Sequence, residues 1–246
     1  PVLTTGTLTI VSTDGDVTTS APIVGTGEVI ISAGDELVVN REIRSADADV
    51  SLYSGAGGIT INQITDYDGT LTSSVNAGNA DLTLSSGGDV TILDNRGISS
   101  QQTVTIDARG TLISGSIGNA TTTPTETRPQ VVNLNADGGI DQFSTGLVGE
   151  VNASSSGGSI NLTVNNPGRL RIVTGTPGTT DCPTCNITLT SSAYDQSIGP
   201  DVIMNAGGSI NMPNFFRSRG DVTMIARSGD VTINTAIVSG SLVMAA

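Results

Sequence analysis

The sequence contains no histidine, no lysine and no tryptophan, and its ten basic residues are all arginine. Aromatic side chains are scarce as well, with three Phe and three Tyr in 246 residues. Hydrophobic residues make up 36% of the chain, so a thick globular core would be hard to fill without aromatics. A thin core of stacked Val, Ile and Leu suits this supply. Only two cysteines occur, Cys182 and Cys185. A four-ligand zinc site would need two more Cys or His ligands, which the chain lacks. No apolar run approaches the ~18 to 20 residues of a membrane-spanning helix, so no membrane span is expected. Positive charge is short too: the net charge is −13 and the pI about 4.1. Such a chain repels nucleic acid and anionic lipid, and no nucleic-acid partner is expected. The opening PVLTTGTLTI has neither a charged n-region nor an h-region, so a mature form or a slice of a longer chain is expected.

What is present is rich in Thr, Ser, Val, Ile, Asn, Asp and Gly, a mixture of strand formers and turn formers. Short apolar-x-apolar runs recur throughout: TLTI (7–10), EVII (28–31), DVSL (49–52), DVTI (89–92), SINL (159–162) and DVTI (230–233). Each alternates with period two, the mark of a strand with one buried face. Counting first inward residues gives one family through Leu8, Val29, Val50, Leu71, Val90, Leu112, Val132, Val151, Leu170, Ile210 and Val231. A second family runs through Val17, Leu37, Ile59, Leu82, Val104, Ile140, Ile160, Val202, Val222 and Leu242. The spacing within the first averages about 20 residues, at the low end of solenoid periods.

At least two strands and several tight turns in about 20 residues leave no room for helices. The expectation is an all-β, right-handed parallel β-helix of about 12 coils of about 20 residues, with strands about 4.8 Å apart. A β-sandwich also has many short strands, but the regular period and missing aromatics count against it. Residues 1–246 read as a single β-helical domain with loop inserts near 114–130 and 174–186. Neither end reads as a cap, so the coil is expected to continue into more chain or to stack on another copy.

The segments GGDVTIL (87–93), GGSINLT (157–163), GGSINM (207–212) and RSGDVTINT (227–235) resemble the repeats of filamentous haemagglutinin and related two-partner-secretion exoproteins. The resemblance spans nearly the whole chain. It implies a bacterial protein, secreted or displayed on the cell surface, that passes an outer-membrane transporter during export. An NPNG-type secretion motif is missing, so the chain looks like shaft rather than secretion domain.

Candidate sites are few, and no pattern implies a cofactor. Cys182 and Cys185 form a C-P-T-C loop without the helix or βαβ setting of a redox motif, and read as a small disulfide pinning an extruded loop; active redox is the lesser alternative. In NFFRSRG (214–220), Phe215 and Phe216 cannot both point inward on one strand, and Arg217 and Arg219 lie beside them. Arg169 and Arg171 alternate outward on an earlier strand. Arg beside an aromatic suits a sugar ring or a carboxylate, so these six residues form a candidate ligand or partner patch. The plainer reading is that one Phe fills a corner of the core and the Arg offset an acidic surface. Acidic runs at 45–51 and 135–142 match no calcium loop. The Asp of the Gly-Asp-Val runs at 15–17, 88–90, 220–222 and 229–231 is expected to bond its own turn backbone.

Pectate lyases and polygalacturonases share this fold class, but a lyase needs a suitable base and a glycosidase needs paired carboxylates on one face. Neither constellation is found, so a polysaccharide-active enzyme is the least favoured reading. The favoured one is a structural or adhesive shaft segment, with a glycan or protein on a host or neighbouring cell as partner. The alternative is a filament subunit whose partners are further copies of itself.

Overall fold

The computed structural model describes residues 1–62, 74–93, 97–114, 116–117, 130–147, 149–165, 168–176, 182–191, 197–198 and 201–246. Among them there is no helix; the regular elements are parallel strands arranged as a β-helix in two compact units, Pro1–Gln130 and Val131–Ala246.

In the first unit each coil lays down three strands. The first coil holds β1 (Val2–Thr4), β2 (Leu8–Val11) and β3 (Val17–Thr19); the second holds β4 (Ile23–Gly25), β5 (Val29–Ser32) and β6 (Glu36–Val39). The third holds β7 (Ile43–Ser45), β8 (Val50–Ser54) and β9 (Gly58–Ile61). The fourth holds β10 (Val75–Asn76), β11 (Leu82–Ser86) and β12 (Val90–Ile92). A fifth holds β13 (Ile98–Ser99), β14 (Thr103–Ala108) and β15 (Thr111–Ser114), and β16 (Ser116–Ile117) follows. Every strand pairs in parallel with its counterpart one coil on, as in Ile23↔Ile43, Val29↔Val50 and Leu37↔Ile59. Like residue therefore stacks on like. Ile23, Ile43, Val75, Ile98 and Ile117 form one buried column, and Leu37, Ile59, Val90 and Leu112 another. Each such side chain contributes about 1.5–3 kcal/mol on leaving water, before the cost of ordering the chain.

The second unit uses fewer, longer strands. β17 (Val131–Ala136), β18 (Gly139–Leu147), β19 (Glu150–Ser155), β20 (Ile160–Asn165), β21 (Arg169–Thr174) and β22 (Ile187–Ser191) come first. They are followed by β23 (Ser197–Ile198), β24 (Asp201–Ala206), β25 (Ile210–Ser218), β26 (Asp221–Ala226), β27 (Val231–Val238) and β28 (Leu242–Ala245). One sheet runs β17–β19–β21–β24–β26–β28. The other joins β18, β20, β22, β23, β25 and β27. The long strands of that second sheet bend: β25 shifts register against β27 between Met212 and Phe215, where Pro213 cannot donate to a ladder.

The two counted residue families do not follow the physical columns. Val50 is followed on its sheet by Leu82, 32 residues later (82 − 50), while Val90 stacks between Ile59 and Leu112. Leu170 is likewise followed by Val202, also 32 residues on (202 − 170), and Ile210 stacks between Ile187 and Val231. Extra residues in those coils shift a count of about 20 from one sheet to another, because each sheet repeats the same alternation. Leu71 lies outside the described residues, as do 118–129 of the first insert and 177–181 of the second.

Several Asp, Ser and Asn residues just before inward strand positions have a different task from the one expected of the Gly-Asp-Val aspartates. Asp16 Oδ1 accepts from Glu36 N at 3.1 Å, Asp89 Oδ1 from Thr111 N at 2.6 Å, and Asp221 Oδ1 from Ser241 N at 2.9 Å. Asp49 Oδ1 accepts from Asp81 N at 3.0 Å, and Asp81 Oδ1 in turn from Thr103 N at 2.9 Å. In the second unit the side chains of Ser159, Asn186 and Ser209 accept in turn from the N–H of Asn186, Ser209 and Asp230. These side chains clamp the next coil, not their own turn. The turns are closed instead by Ser: Ser12, Ser86 and Ser155 accept from the N–H of Gly15, Gly88 and Gly158. Close stacking of turns is also why Gly55 recurs there, since a Cβ on it would overlap the Gly34 carbonyl.

At Asp221 the clamping carboxylate oxygen accepts two hydrogen bonds from Ser241. Hydrogen bonds from the Ser241 hydroxyl and then its N–H lower the Asp221 pKa below the ordinary 3.8. A depressed folded pKa means the stabilisation is present above the ordinary value and is lost as pH falls through the lowered one. Titrating the Ser241 amide by NMR should show loss of its hydrogen-bonded shift only below pH 3.8, and no such step in Asp221→Asn. An unchanged step in the variant would refute the clamp.

Candidate functional site

Strand β21 carries the two arginines singled out in the sequence. Its alternation buries Leu170 and Ile172 and turns Arg169 and Arg171 outward. The ladder then decides their neighbours. Glu150, Arg169 and Asp201 lie in one row across β19, β21 and β24; Asn152, Arg171 and Ile203 lie in the next. These six side chains surround a shallow cavity of about 350 Å³ over Leu170.

Within it, Arg169 Nε stands 3.5 Å from Asp201 Oδ2, with both side chains at least half exposed. Asn152 Nδ2 donates to Glu150 Oε1 at 2.9 Å and to Asn133 Oδ1 at 3.1 Å, which fixes the carboxylate against the sheet. Arg171 is exposed and makes no hydrogen bond or ion pair among the described residues. Ile203 is 44% exposed and adds an apolar wall. The arrangement offers one available guanidinium, two carboxylates with remaining lone pairs, and an aliphatic surface.

The other half of the expected patch lies elsewhere. Phe216 and Arg217 belong to β25 on the other sheet of the unit, with Arg219 just beyond it. Phe216 is 2% exposed and packs in the core, Arg217 is half-buried, and Arg219 is exposed. The side chain of Phe215 lies outside the described residues. The six residues of the sequence patch are thus divided between two sheets, and the true neighbours of Arg169 and Arg171 are Glu150, Asn152, Asp201 and Ile203. Their offsets from the arginines give no local signal. Only the coil register reveals them, and the 32-residue step after Leu170 (202 − 170) conceals Ile203.

The disulfide between Cys182 and Cys185 closes a turn inside the stack. The cysteines themselves are 8% and 2% exposed, while Pro183 and Thr184 between them are exposed, so the disulfide pins a turn whose tip faces solvent. Thr174 Oγ1 donates to the Cys185 carbonyl at 2.8 Å and accepts from Gly207 N at 3.1 Å. Cys185 N donates to the Cys182 carbonyl at 3.0 Å, and Gly208 N to that of Cys185 at 2.9 Å. The turn so made sits against Gly207, where a Cβ would overlap the Cys182 carbonyl. The turn is thereby bonded to the coils beside it, and the Pro183 carbonyl also accepts from Ser228 Oγ at 3.2 Å.

Among the described residues no group of three or more His, Cys, Asp or Glu is placed to hold a metal ion, and no helix is long and apolar enough to cross a membrane. No family model, curated protein or solved structure matches the chain.

Closing a four-residue loop constrains the unfolded chain by about 2 kcal/mol. The double variant Cys182→Ala/Cys185→Ala should lose about that much unfolding free energy in denaturant titrations. Dithiothreitol should lower the stability of the parent and leave the variant unchanged. Equal stability of parent and variant would show that the bond does not staple the coil.

Proposed function

We propose that the chain is a structural and adhesive shaft segment of a bacterial exoprotein, secreted or displayed at the cell surface and exported through an outer-membrane transporter. The observation that carries the proposal is the coil-on-coil ladder, which holds outward side chains in fixed rows on a stiff scaffold. Such a surface suits contact with another cell better than chemistry within a closed pocket. The likeness of GGDVTIL (87–93) and RSGDVTINT (227–235) to filamentous haemagglutinin-type repeats supports the same reading, and so does an acidic, aromatic-poor composition suited to solubility at high local density. A buried disulfide fits an oxidising compartment. The partner is a glycan or protein on a host or neighbouring cell, and the net charge of −13 disfavours nucleic acid.

Beads coated with the folded chain should be retained on cultured host or bacterial cells in flow, and beads coated with the heat-denatured chain should wash away. Retention no better than that of uncoated beads, across both cell classes, would remove the adhesive part of the proposal.

A further inference from the structure

The cavity over β21 asks for a ligand of particular chemistry. Arg171 presents a planar fork of donors that matches a carboxylate. It lies beside Glu150 and Asp201, whose remaining lone pairs require O–H or N–H donors rather than more negative charge. A phosphate chain or an acidic peptide brings several anionic groups against those two carboxylates and few hydroxyls to satisfy them. A neutral sugar satisfies the carboxylates and leaves Arg171 without its anion. A uronate sugar supplies one carboxylate, several hydroxyl donors and an apolar C–H face within a single ring. Ile203, 44% exposed, is placed to take that face. The volume of about 350 Å³ lies at the small end of ligand cavities, about 300–1,000 Å³, and suits one unit of a sugar chain. The chain's charge of −13 does not forbid the anion, because charges beyond about 8 Å are screened at physiological salt and the nearest groups decide.

We propose that the outer face of β19, β21 and β24 binds a hexuronate-containing saccharide. Arg171 takes the carboxylate, Glu150 and Asp201 accept the hydroxyls, and Ile203 packs against the ring. Arg169, held toward Asp201, positions that carboxylate. The inference rests on the adhesive reading for its biological purpose, and on the cavity alone for its chemistry.

Calorimetric titration of the full chain with trigalacturonate tests it, with the methyl-esterified trimer as comparison. The free acid should bind and the ester should not. Arg171→Gln should weaken binding at least about tenfold, the loss expected for a charge-assisted pair. Arg171→Lys, which keeps the charge and loses the fork, should weaken it as well. Arg109→Gln, on the first unit, should bind as the parent does. Unchanged melting curves establish that each variant is folded, as the exposure of Arg171 leads one to expect. No binding of trigalacturonate overturns the proposal. So does binding that survives esterification, or a loss that is equal in Arg109→Gln. If coated beads adhere to cells while trigalacturonate fails to bind, this inference falls and the adhesive reading stands; saccharide binding without adhesion removes the adhesive reading alone.

Discussion

The register of each unit depends on one contact: the side chain just before a buried strand position holds the backbone N–H of its counterpart one coil later. Asp49 to Asp81 to Thr103 is one such series, and Ser159 to Asn186 to Ser209 to Asp230 is another. A strand slipped by one residue would put its apolar side chains into water. The clamps add to the same choice, because a slip would exchange each of these exposed side chain–amide bonds for bonds to water and lose about 0.5–1.5 kcal/mol apiece. Backbone ladder, buried aliphatic columns and clamps therefore specify the same pairing, and a core almost without aromatics is enough.

Stacking like on like has a further consequence for the outer surface. A side chain on one coil finds its neighbours not in its own sequence vicinity but one coil before and after. Glu150, Arg169 and Asp201 become a row of alternating charge, and Asn152, Arg171 and Ile203 a row that passes from amide to cation to hydrocarbon. The disulfide turn at Cys182 and Cys185 lies in the coil between β21 and β24, the two strands that bring Arg171 beside Ile203. Irregular length within that coil is absorbed without breaking the ladder.

Much of the fold was legible because its signals are local. Alternation in DVSL, DVTI and SINL marks strands, and a spacing near 20 with scarce aromatics excludes a thick core. The short strand that opens each coil of the first unit was not legible: Val75–Asn76 and Ile98–Ser99 are too short to alternate. Phase was lost where coils lengthen, since Val90 and Leu82 sit in equally good apolar runs and nothing local says which one follows Val50. The Gly-Asp-Val motif was visible, but its partner 20 or 22 residues away was not, so the Asp was assigned to its own turn. The candidate site was half legible. Arg169 and Arg171 show themselves by alternation, whereas Glu150, Asp201 and Ile203 join them only through the register.

Successive coils stack in the register that ladder, columns and clamps share. Spin labels at Thr9→Cys and Thr105→Cys, outward positions of β2 and β14 in the first unit, measure it directly by pulsed electron resonance. The two positions lie four coil steps apart in one sheet, so a narrow distribution centred near 19 Å is predicted, at about 4.8 Å per step. A broad distribution, or one centred beyond about 30 Å, would contradict the stacking and the account built on it.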